Sequence, residues 1–345
     1  MIRKMTHEFR NIVLSYLEAA KSNRKCILAT LVDLDGSSYR RPGVRMLISD
    51  DGKITGAISG GCIEKEVIRE SASVFENSTP KMMTYDGRYR LGCEGVIYIL
   101  IEVFQPSSSL MEEFFHCLEA RQSFTLSTFY KKQVVADDNL GTVVRLSGKE
   151  FTVNQAVKPE TLLSGNDNLI LEQVLPARFR LLIFGGEYDA AKLSFQASLL
   201  GWEVVMVTNP VDGYTTENFP GSLKVLQTTP DQLPENLIDQ NTAVVLMTHN
   251  YAKDLNFLLA LKYSEPVYLG LLGPVKRKNK LYDDYLEHTG EIPETLFDVI
   301  HGPAGLNIGA ETAEEIALSI CSEIITIQRK KDASHLNELK DRIHA

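Results

Sequence analysis

The sequence contains no apolar run of about 18 residues, the length that a membrane-spanning helix needs. Its first ten residues also lack the apolar core of a signal peptide. Positive charge is scarce, because 36 Lys and Arg stand against 45 Asp and Glu and give a formal net charge of −9. Such a chain does not present the broad basic surface that nucleic acids need. These absences predict a cytoplasmic protein that binds neither membranes nor nucleic acids.

Cysteine is also scarce. The five cysteines are scattered, and none forms a CxxC pair. A disulfide framework or a structural zinc site is therefore not expected, and we predict no bound metal. Cys26, Cys117 and Cys321 fall within apolar strand or helix patterns, which predicts small buried residues. Cys62 and Cys93 follow glycines in loops instead, so that a buried role and a reactive thiol both remain open for them.

The length of 345 residues is enough for about two domains of 100–200 residues. Residues 1–153 mix strands with few helices, which predicts an α+β domain. Residues 154–176 are polar and contain two prolines, which predicts a linker, and residues 331–345 read as a charged tail. Residues 177–330 alternate strands and helices, so the fold class is α/β, with a doubly wound parallel Rossmann-like domain after the first domain. Five strands are predicted there, at Arg180–Phe184, Glu203–Val207, Leu223–Leu226, Ala243–Met247 and Val267–Leu269.

The first strand of the second domain runs into a glycine turn, Gly185-Gly186, where a dinucleotide fingerprint belongs. Ala190 can serve as the close-packing residue of that fingerprint. The middle glycine position is Glu187, however, whose carboxylate would face the pyrophosphate. The residue after the second strand is Thr208, where a ribose-binding acid is expected. The pattern therefore predicts the Rossmann-like fold together with weak or no NAD(P) binding.

Three further loops of this domain carry candidate residues. The first two follow strands, at the edge where ligands bind in open α/β sheets, and the third precedes the last long helix. His249 either takes part in a site or caps the next helix. Gly273 precedes the cations 276–278, which either hold a phosphate or form a solvated helix face. Gly305 lies in a glycine-rich loop that either approaches a ligand or makes a turn. His249 is a candidate catalytic residue, and the candidate cofactor-binding glycines are Gly185, Gly186, Gly273 and Gly305.

The first domain carries a polar loop between two strands, in which hydroxyls and two guanidiniums converge. Ser37, Ser38, Arg40 and Arg41 suit a phosphate or a planar polar ring, although solvated surface arginines are the alternative. A second loop, Gly60-Gly61-Cys62, leads from a strand into a helix, whose dipole favours a thiolate at Cys62. These serines, arginines and two glycines are candidate cofactor-binding residues.

Taken in order along nearly the whole chain, these motifs resemble the XdhC/CoxI family, the accessory proteins of xanthine dehydrogenase and related molybdenum hydroxylases. The matching segments are Gly36-Ser37-Ser38-Tyr39-Arg40-Arg41-Pro42-Gly43, Gly60-Gly61-Cys62-Ile63-Glu64, Gly92-Cys93-Glu94-Gly95, Met247-Thr248-His249-Asn250, Tyr268-Leu269-Gly270-Leu271-Leu272-Gly273 and Pro303-Ala304-Gly305-Leu306-Asn307-Ile308-Gly309-Ala310. One segment departs from the family: its usual turn is G-A-G-H-x-A, and here it is Gly185-Gly186-Glu187-Tyr188-Asp189-Ala190.

The resemblance implies binding of the molybdenum cofactor (molybdopterin), its protection while a terminal oxygen is exchanged for sulfur, and its delivery as by a chaperone. The implied partners are apo-xanthine dehydrogenase or a related molybdenum hydroxylase of purine catabolism, and a cysteine desulfurase that supplies the sulfur. It also makes Cys62, Cys93 and His249 the candidates for sulfur or proton handling, in a maturation factor rather than a stand-alone enzyme. A homodimer is expected from general base rates only.

Two other function classes remain open. The Rossmann-like pattern supports an NAD(P)-dependent oxidoreductase, which Glu187 and Thr208 oppose. A module that only binds a partner protein would hold no ligand at all. Extraction of the bound small molecule would distinguish the three classes. A maturation factor should yield a pterin, an oxidoreductase a nicotinamide nucleotide, and a partner-binding module no small molecule.

Overall fold

A computed structural model describes residues 6–36, 40–87, 95–164, 167–290, 296 and 298–338, with Cys62 and Glu235 described by their backbone only. The chain divides into two compact units, Met1–Arg178 and Phe179–Ala345. None of the helices within those described residues is long and apolar enough to cross a membrane.

The first unit contains ten strands and four helices in its described residues. The strands are β1 Cys26–Asp35, β2 Arg45–Ser49, β3 Ile54–Gly56, β4 Lys81–Asp86, β5 Val96–Val103, β6 Phe124–Tyr130, β7 Val135–Ala136, β8 Gly141–Leu146, β9 Lys149–Thr152 and β10 Leu169–Leu175. The helices are α1 Thr6–Lys21, α2 Cys62–Asn77, α3 Ser108–Glu119 and α4 Pro159–Leu163. One antiparallel sheet has the order β3-β2-β1-β5-β4-β7, and a second has the order β10-β6-β8-β9. The predicted α+β domain is confirmed.

Alternation along β1 divides the first sheet into two apolar faces. Ala29 and Leu31 are fully buried against Val67 of α2. Leu28 points to the opposite face, where it joins Phe9 of α1 and Phe114 of α3. The aromatic rings of this second core pack edge to face, with 5.7 Å between the ring centroids of Phe9 and Phe114.

Two predictions for this unit need correction. The sequence predicts a hairpin of strands at 44–49 and 53–59, but the second strand is only Ile54–Gly56, because the next residues form a turn that leads into α2. The segment 154–176 is not a linker, since it contains α4 and the strand β10, which pairs with β6 over seven residues. Most residues of β10 are exposed on an edge strand, which is why its apolar alternation is too weak to indicate a strand.

The second unit is a parallel six-stranded sheet, as predicted. Its strands are β11 Arg180–Phe184, β12 Glu203–Thr208, β13 Lys224–Gln227, β14 Thr242–Leu246, β15 Tyr268–Leu271 and β16 Ile300–His301, in the order β13-β12-β11-β14-β15-β16. Its helices are α5 Tyr188–Leu199, α6 Tyr251–Ala260, α7 Val275–Thr289 and Ala313–Arg329, here called α8. The sequence did not indicate β16, which is only two residues long. The predicted capping box of α8 is present, with Thr312 accepting the N–H of Glu315.

Candidate functional site

The strand order places a topological switch point between β11 and β14, where the loops at their carboxyl ends lead to opposite faces of the sheet. The two loops approach each other closely there. A Cβ on Gly185 would lie 2.5 Å from the carbonyl oxygen of Met247, and the φ of Gly185 is +140°. Both observations explain why glycine occupies this position. The structure thus brings two predicted segments, the glycine turn and the loop of His249, into contact.

The turn between β11 and α5 has the features that oppose dinucleotide binding. Glu187 is the exposed N-cap residue of α5, and its side chain makes no capping hydrogen bond. The ring of Tyr214 lies where a Cβ of Gly186 would be, so the second glycine is covered by a side chain. Thr208 at the end of β12 is buried, and its hydroxyl has no hydrogen-bond partner among the described residues. This turn therefore supplies neither an open second glycine nor a ribose-binding acid.

His249 faces across the switch point rather than capping a helix. The cap of α6 is Asn250, whose side chain accepts the N–H of Lys253. The Nε2 of His249 lies 3.4 Å from Oδ2 of Asp189, in the first turn of α5, and the His249 side chain is 47% exposed. An imidazole that is open to solvent and oriented by a carboxylate can accept and return a proton.

Of the cations after Gly273, Arg277 is engaged by a carboxylate of the protein itself. Arg277 donates to the buried Oδ2 of Asp254 at 2.6 Å, while Oδ1 accepts the Thr248 hydroxyl, also at 2.6 Å. The Arg277 side chain also lies against Gly273, with its Cδ 2.8 Å from the position of a Cβ there. Arg277 therefore fixes the loop after β14 from α7, because a buried carboxylate needs this partner. Lys276 is exposed, as expected for a solvated helix face.

The glycine-rich loop after β16 is fastened to α8 by residues that the sequence did not single out. Oε2 of Glu323 accepts the backbone N–H of Gly305 and the hydroxyl of Tyr268, each at 2.7 Å. His301 stacks on the Tyr268 ring and lies 3.3 Å from Oε1 of Glu323. Burial opposes ionisation of Glu323, but the donors outweigh it and hold the pKa of that carboxyl below its usual value. Gly305 is thus a packing position, since a Cβ there would collide with Ser319.

In the first unit, the turn before α2 is organised by Glu64, at the third position of the helix. Its carboxylate accepts four consecutive backbone N–H groups. They belong to Ile58 at 3.1 Å, Ser59 at 2.7 Å, Gly60 at 2.8 Å and Gly61 at 2.6 Å. Partial burial works against its ionisation, yet these donors keep the pKa of Glu64 below its usual value. The predicted anion-binding donors of this turn are therefore already engaged by a side chain of the chain itself.

The glycines of this turn differ from those of the second unit. Gly60 and Gly61 have φ values of +126° and +155°, and a Cβ on either would meet nothing within 4 Å. Glycine is thus needed here for the backbone conformation, and the space above the turn is open. The helix begins at Cys62, as predicted.

The remaining candidates of the first unit divide into described and undescribed residues. Arg40 is half-buried, and its side chain makes no hydrogen bond or ion pair with the described part of the chain. Arg41 is half-buried and has a polar partner. Ser37, Ser38 and Cys93 lie outside the described residues.

A buried polar chain below this loop connects the two sheets of the first unit. Arg45 donates to the carbonyl of Gly43 at 3.0 Å and to Thr128 Oγ1 at 3.5 Å. Thr128 contacts Thr142, whose hydroxyl donates to Oε1 of Glu102 at 2.6 Å. Burial raises the pKa of Glu102 to about 7, although the Thr142 donors and Arg45 oppose this shift. Burial also lowers the pKa of Arg45 to about 10.

The other cysteines behave as predicted. Cys26, Cys117 and Cys321 are free and buried, and burial raises the pKa of each thiol, that of Cys321 to about 12. These thiols are poor nucleophiles at neutral pH. Within the described residues, no group of three or more His, Cys, Asp or Glu side chains could hold a metal ion.

Two family models match the chain, and together they cover more than half of it. Residues 181–324 match the XdhC Rossmann domain, and residues 19–86 match the XdhC and CoxI family. The chain is 28% identical over 327 residues to a Bacillus subtilis protein named as a probable xanthine dehydrogenase subunit, covering 90% of this chain and 95% of that protein. It is 25% identical over 333 residues to "Molybdenum cofactor insertion chaperone PaoD" of Escherichia coli, covering 94% and 90%.

A solved structure shares the fold. It is a crystal structure described as a xanthine dehydrogenase from Bacillus halodurans, with a TM-score of 0.75 and 26% sequence identity, covering 94% of this chain and 97% of that one. The motifs, the two family models and this structural likeness agree from the first unit to the second. The chain therefore belongs to the XdhC and CoxI family.

Proposed function

We propose that this protein is a maturation factor that binds the molybdenum cofactor, supports its sulfuration and delivers it to apo-xanthine dehydrogenase or a related molybdenum hydroxylase. The observation that carries the proposal is the likeness, over 94% of this chain, to a protein named as a molybdenum cofactor insertion chaperone. The proposed setting is the cytoplasm, where thiols stay reduced.

The molybdenum cofactor has a phosphate and a planar pterin, which the protein would have to bind. It also has a molybdenum centre, whose terminal oxygen is replaced by sulfur. Two features of the first unit would suit such a molecule. The space above Gly60 and Gly61 is open, and the Arg40 guanidinium has no protein partner among the described residues. A free guanidinium suits a phosphate or the edge of a planar ring. Arg41, Ser37 and Ser38 extend this surface on sequence grounds.

Cys62 is the proposed sulfur-handling residue. It opens α2 next to the open glycine turn, where the helix dipole favours a thiolate. Glu64 acts against this effect with its negative charge, so Cys62 would react slowly until a cationic ligand or partner group offsets that charge. The sulfur itself would come from the persulfide of a cysteine desulfurase. Cys93 is proposed as a second thiol on sequence grounds alone.

His249 is the proposed proton-handling residue of the second unit, since Asp189 orients its half-exposed ring. The sheet order is that of dinucleotide-binding domains, which is what supports the alternative of an NAD(P)-dependent oxidoreductase. Glu187 and the Tyr214-covered Gly186 favour the maturation role instead.

The test expresses the protein in cells that make the cofactor, purifies it and measures oxidised pterin by fluorescence. Each variant is then assayed for reconstitution of a hydroxylase in a strain that lacks the native protein. We expect bound pterin in the wild type, and in Cys62→Ser bound pterin without hydroxylase activation. Arg40→Ala should bind less pterin, by about tenfold, the equivalent of one charged hydrogen bond.

Cys117→Ala is the matched control, because it removes a thiol of the same unit that is buried and unreactive. This variant should activate the hydroxylase as the wild type does. A purified protein that yields a nicotinamide nucleotide and no pterin would replace the proposal with the oxidoreductase. Full activation by Cys62→Ser would remove the thiol from the mechanism.

A further inference from the structure

A cavity of about 320 Å³ lies in the first unit, away from the glycine turns, at the start of β1 and the end of β5. It is bounded by the last turns of α1 and α2. Its lining residues are Tyr16, Ala20, Asn23, Arg24, Lys25, Cys26, Ile27, Val74, Phe75, Ser78, Val103, Phe104 and Gln105. Voids in well-packed cores are rarely larger than a water molecule, whereas ligand pockets begin near 300 Å³. The cavity is therefore of ligand size rather than of packing-defect size.

The floor of the cavity is apolar and partly aromatic. Phe104 and Val74 are buried to 1% exposure, and Phe75 is half-buried beside them. Tyr16 meets Phe104 edge to face, with 5.3 Å between the ring centroids. Tyr16 and Phe75 are only half-buried, so these two rings, which lie over the covered floor, offer aromatic surface to a flat apolar molecule. The Tyr16 hydroxyl makes no hydrogen bond with the described residues, and burial raises its pKa, so it stays protonated and able to donate.

The rim of the cavity is polar and cationic. The side chains of Asn23, Lys25 and Gln105 are exposed and have no hydrogen-bond partner in the described part of the chain. Arg24 has two acidic neighbours: Oδ1 of Asp50 lies 3.7 Å from its Nη1, and Asp51 interacts with it electrostatically. Asp51 also pairs with Lys53, whose Nζ lies 3.8 Å from its Oδ2. The cations Arg24, Lys25 and Lys53 therefore face two acids, so the side chains give the rim a net positive charge.

The two helix ends at this rim do not reverse that sign. At the end of α2, the carbonyl of Val74 accepts the backbone N–H of Ser78 at 3.0 Å. The carbonyl of Ala19 near the end of α1 already accepts the backbone N–H groups of Ser22 and Arg24, at 3.0 and 3.1 Å. Its partial negative charge is thus compensated by backbone donors. The side-chain charges decide which ligands the rim attracts.

We propose that this cavity binds a small planar aromatic anion. The ring would lie against Tyr16 and Phe75, and the anionic group would face Arg24 and Lys25. The amides of Asn23 and Gln105 would hydrogen-bond polar atoms on the ring edge. The argument does not depend on the proposed maturation role, since none of these residues belongs to the glycine turns or to the loop of Arg40.

The test compares three probes that share one ring and differ in charge: indole-3-carboxylate, indole and tryptamine. Binding to the full chain is measured by isothermal titration calorimetry at pH 7 and low salt. We expect indole-3-carboxylate to bind about tenfold more tightly than indole, and tryptamine to bind most weakly, because surface charges a few ångströms apart interact by about 1 kcal/mol or more. Equal affinities for the three probes would overturn the proposal, as would no heat from any of them at millimolar concentration.

Two variants locate the binding. Ala20 is exposed on α1 and lines the cavity, so Ala20→Trp should fill the entrance and lower the affinity for indole-3-carboxylate at least tenfold. Leu14→Trp is the matched control, because Leu14 is also exposed on α1 but lies outside the cavity. Arg24→Gln should remove most of the preference for the carboxylate while indole still binds. Wild-type affinity in Ala20→Trp would place the binding elsewhere and refute the assignment.

Discussion

Two strand-to-helix turns of this protein carry paired glycines, and they use them for opposite purposes. At Gly60 and Gly61 the glycines serve the backbone conformation alone, and the space above them is open. At Gly185 and Gly186 the neighbours are so close that a Cβ would meet the Met247 carbonyl or the Tyr214 ring. The glycine turn that the Rossmann-like sequence marks as a ligand site is thus filled by the protein itself. The open turn is the one that precedes Cys62.

The two turns also differ in how a carboxylate acts on them. Glu64 reaches back from inside α2 and holds four N–H groups of its turn. Glu187 caps α5 without any hydrogen bond from its side chain. The first turn is therefore rigid and negatively charged, while the second is positioned by packing. The substitutions below test this contrast and the buried carboxylate that the first unit adds to it.

The largest effect is expected from Gly185→Ala. A Cβ at 2.5 Å from the Met247 carbonyl, together with a φ of +140°, should lower the free energy of unfolding by about 4 kcal/mol. The only tryptophan of the chain, Trp202, is buried in the second unit, so its fluorescence in a denaturant titration reports the change.

Gly60→Ala is the comparison, because its φ is also positive while its surroundings are open. Only the backbone penalty of about 1–2 kcal/mol should appear, as measured by circular dichroism. Equal losses in the two variants would mean that crowding does not distinguish the turns.

The next effect concerns pH and the buried carboxylate of the first unit. Because the folded pKa of Glu102 is about 7 against an unfolded value near 4.5, the folded state holds the proton more tightly. The stabilisation of the folded state by the protonated Glu102 is complete below the pKa of the unfolded state. It is lost as the pH rises through the pKa of the folded state. The loss is on the order of 3 kcal/mol.

Glu102→Gln keeps the neutral form at every pH and should therefore lack this loss. Urea unfolding at pH 5 and pH 8 measures the difference between the variant and the wild type. We expect the two proteins to be similar at pH 5 and the variant to be the more stable one at pH 8. If the difference in unfolding free energy between Glu102→Gln and the wild type did not change with pH, the pKa of Glu102 would not be raised by folding.

A smaller effect is expected from Glu64→Gln. The amide group would oppose one N–H donor of the turn, which should cost about 1–2 kcal/mol. Loss of the negative charge should also raise the rate at which iodoacetamide alkylates Cys62 at pH 7, by about threefold, since thiolates are favoured by a more positive helix start. Mass spectrometry of the modified peptide gives that rate.

Glu66→Gln is the control for this variant, because Glu66 lies on the same helix and pairs with Arg69 at the surface. Its alkylation rate should equal that of the wild type. If Glu64→Gln also left the rate unchanged, the carboxylate would not govern the thiol.

The smallest effect is expected with NADH, which should give no measurable heat at about 0.1 mM with the wild type. Glu187→Gly restores the middle glycine but leaves Thr208 and the Tyr214 ring in place, so we expect little gain. Calorimetry of both proteins tests this. Micromolar affinity in the wild type would make the second unit a nucleotide site after all.

The sequence predicts most of this fold because strong local patterns coincide with tertiary structure. After Arg180, the strand Arg180–Phe184 is apolar and buried on both faces. The capping box at Thr312 and Glu315 is a purely local signal. The strand β10 cannot be predicted from its sequence, because only two of its residues, Gln173 and Leu175, are buried. Its strand conformation is set by its pairing with β6.

The site is less predictable because the roles of its residues depend on contacts with residues that are distant in the sequence. The positive charge of Arg277 suits a phosphate, and only the fold shows the buried Asp254 that engages it. Glu323 lies in an ordinary helical stripe, and nothing in its sequence context indicates that it holds Gly305 and Tyr268. Glu64 lies within a recognised motif, but its reach to four backbone donors becomes visible only in three dimensions.

The strand β10 has a practical consequence for expressing the first unit by itself. A fragment that ends at residue 153 would leave one edge of β6 unpaired over its seven residues, with the N–H and C=O groups of alternate residues bare. Uncovered edges of this kind recruit strands from other chains, so we expect this fragment to precipitate. A fragment that ends at Arg178 retains β10 as its cover and should stay in solution.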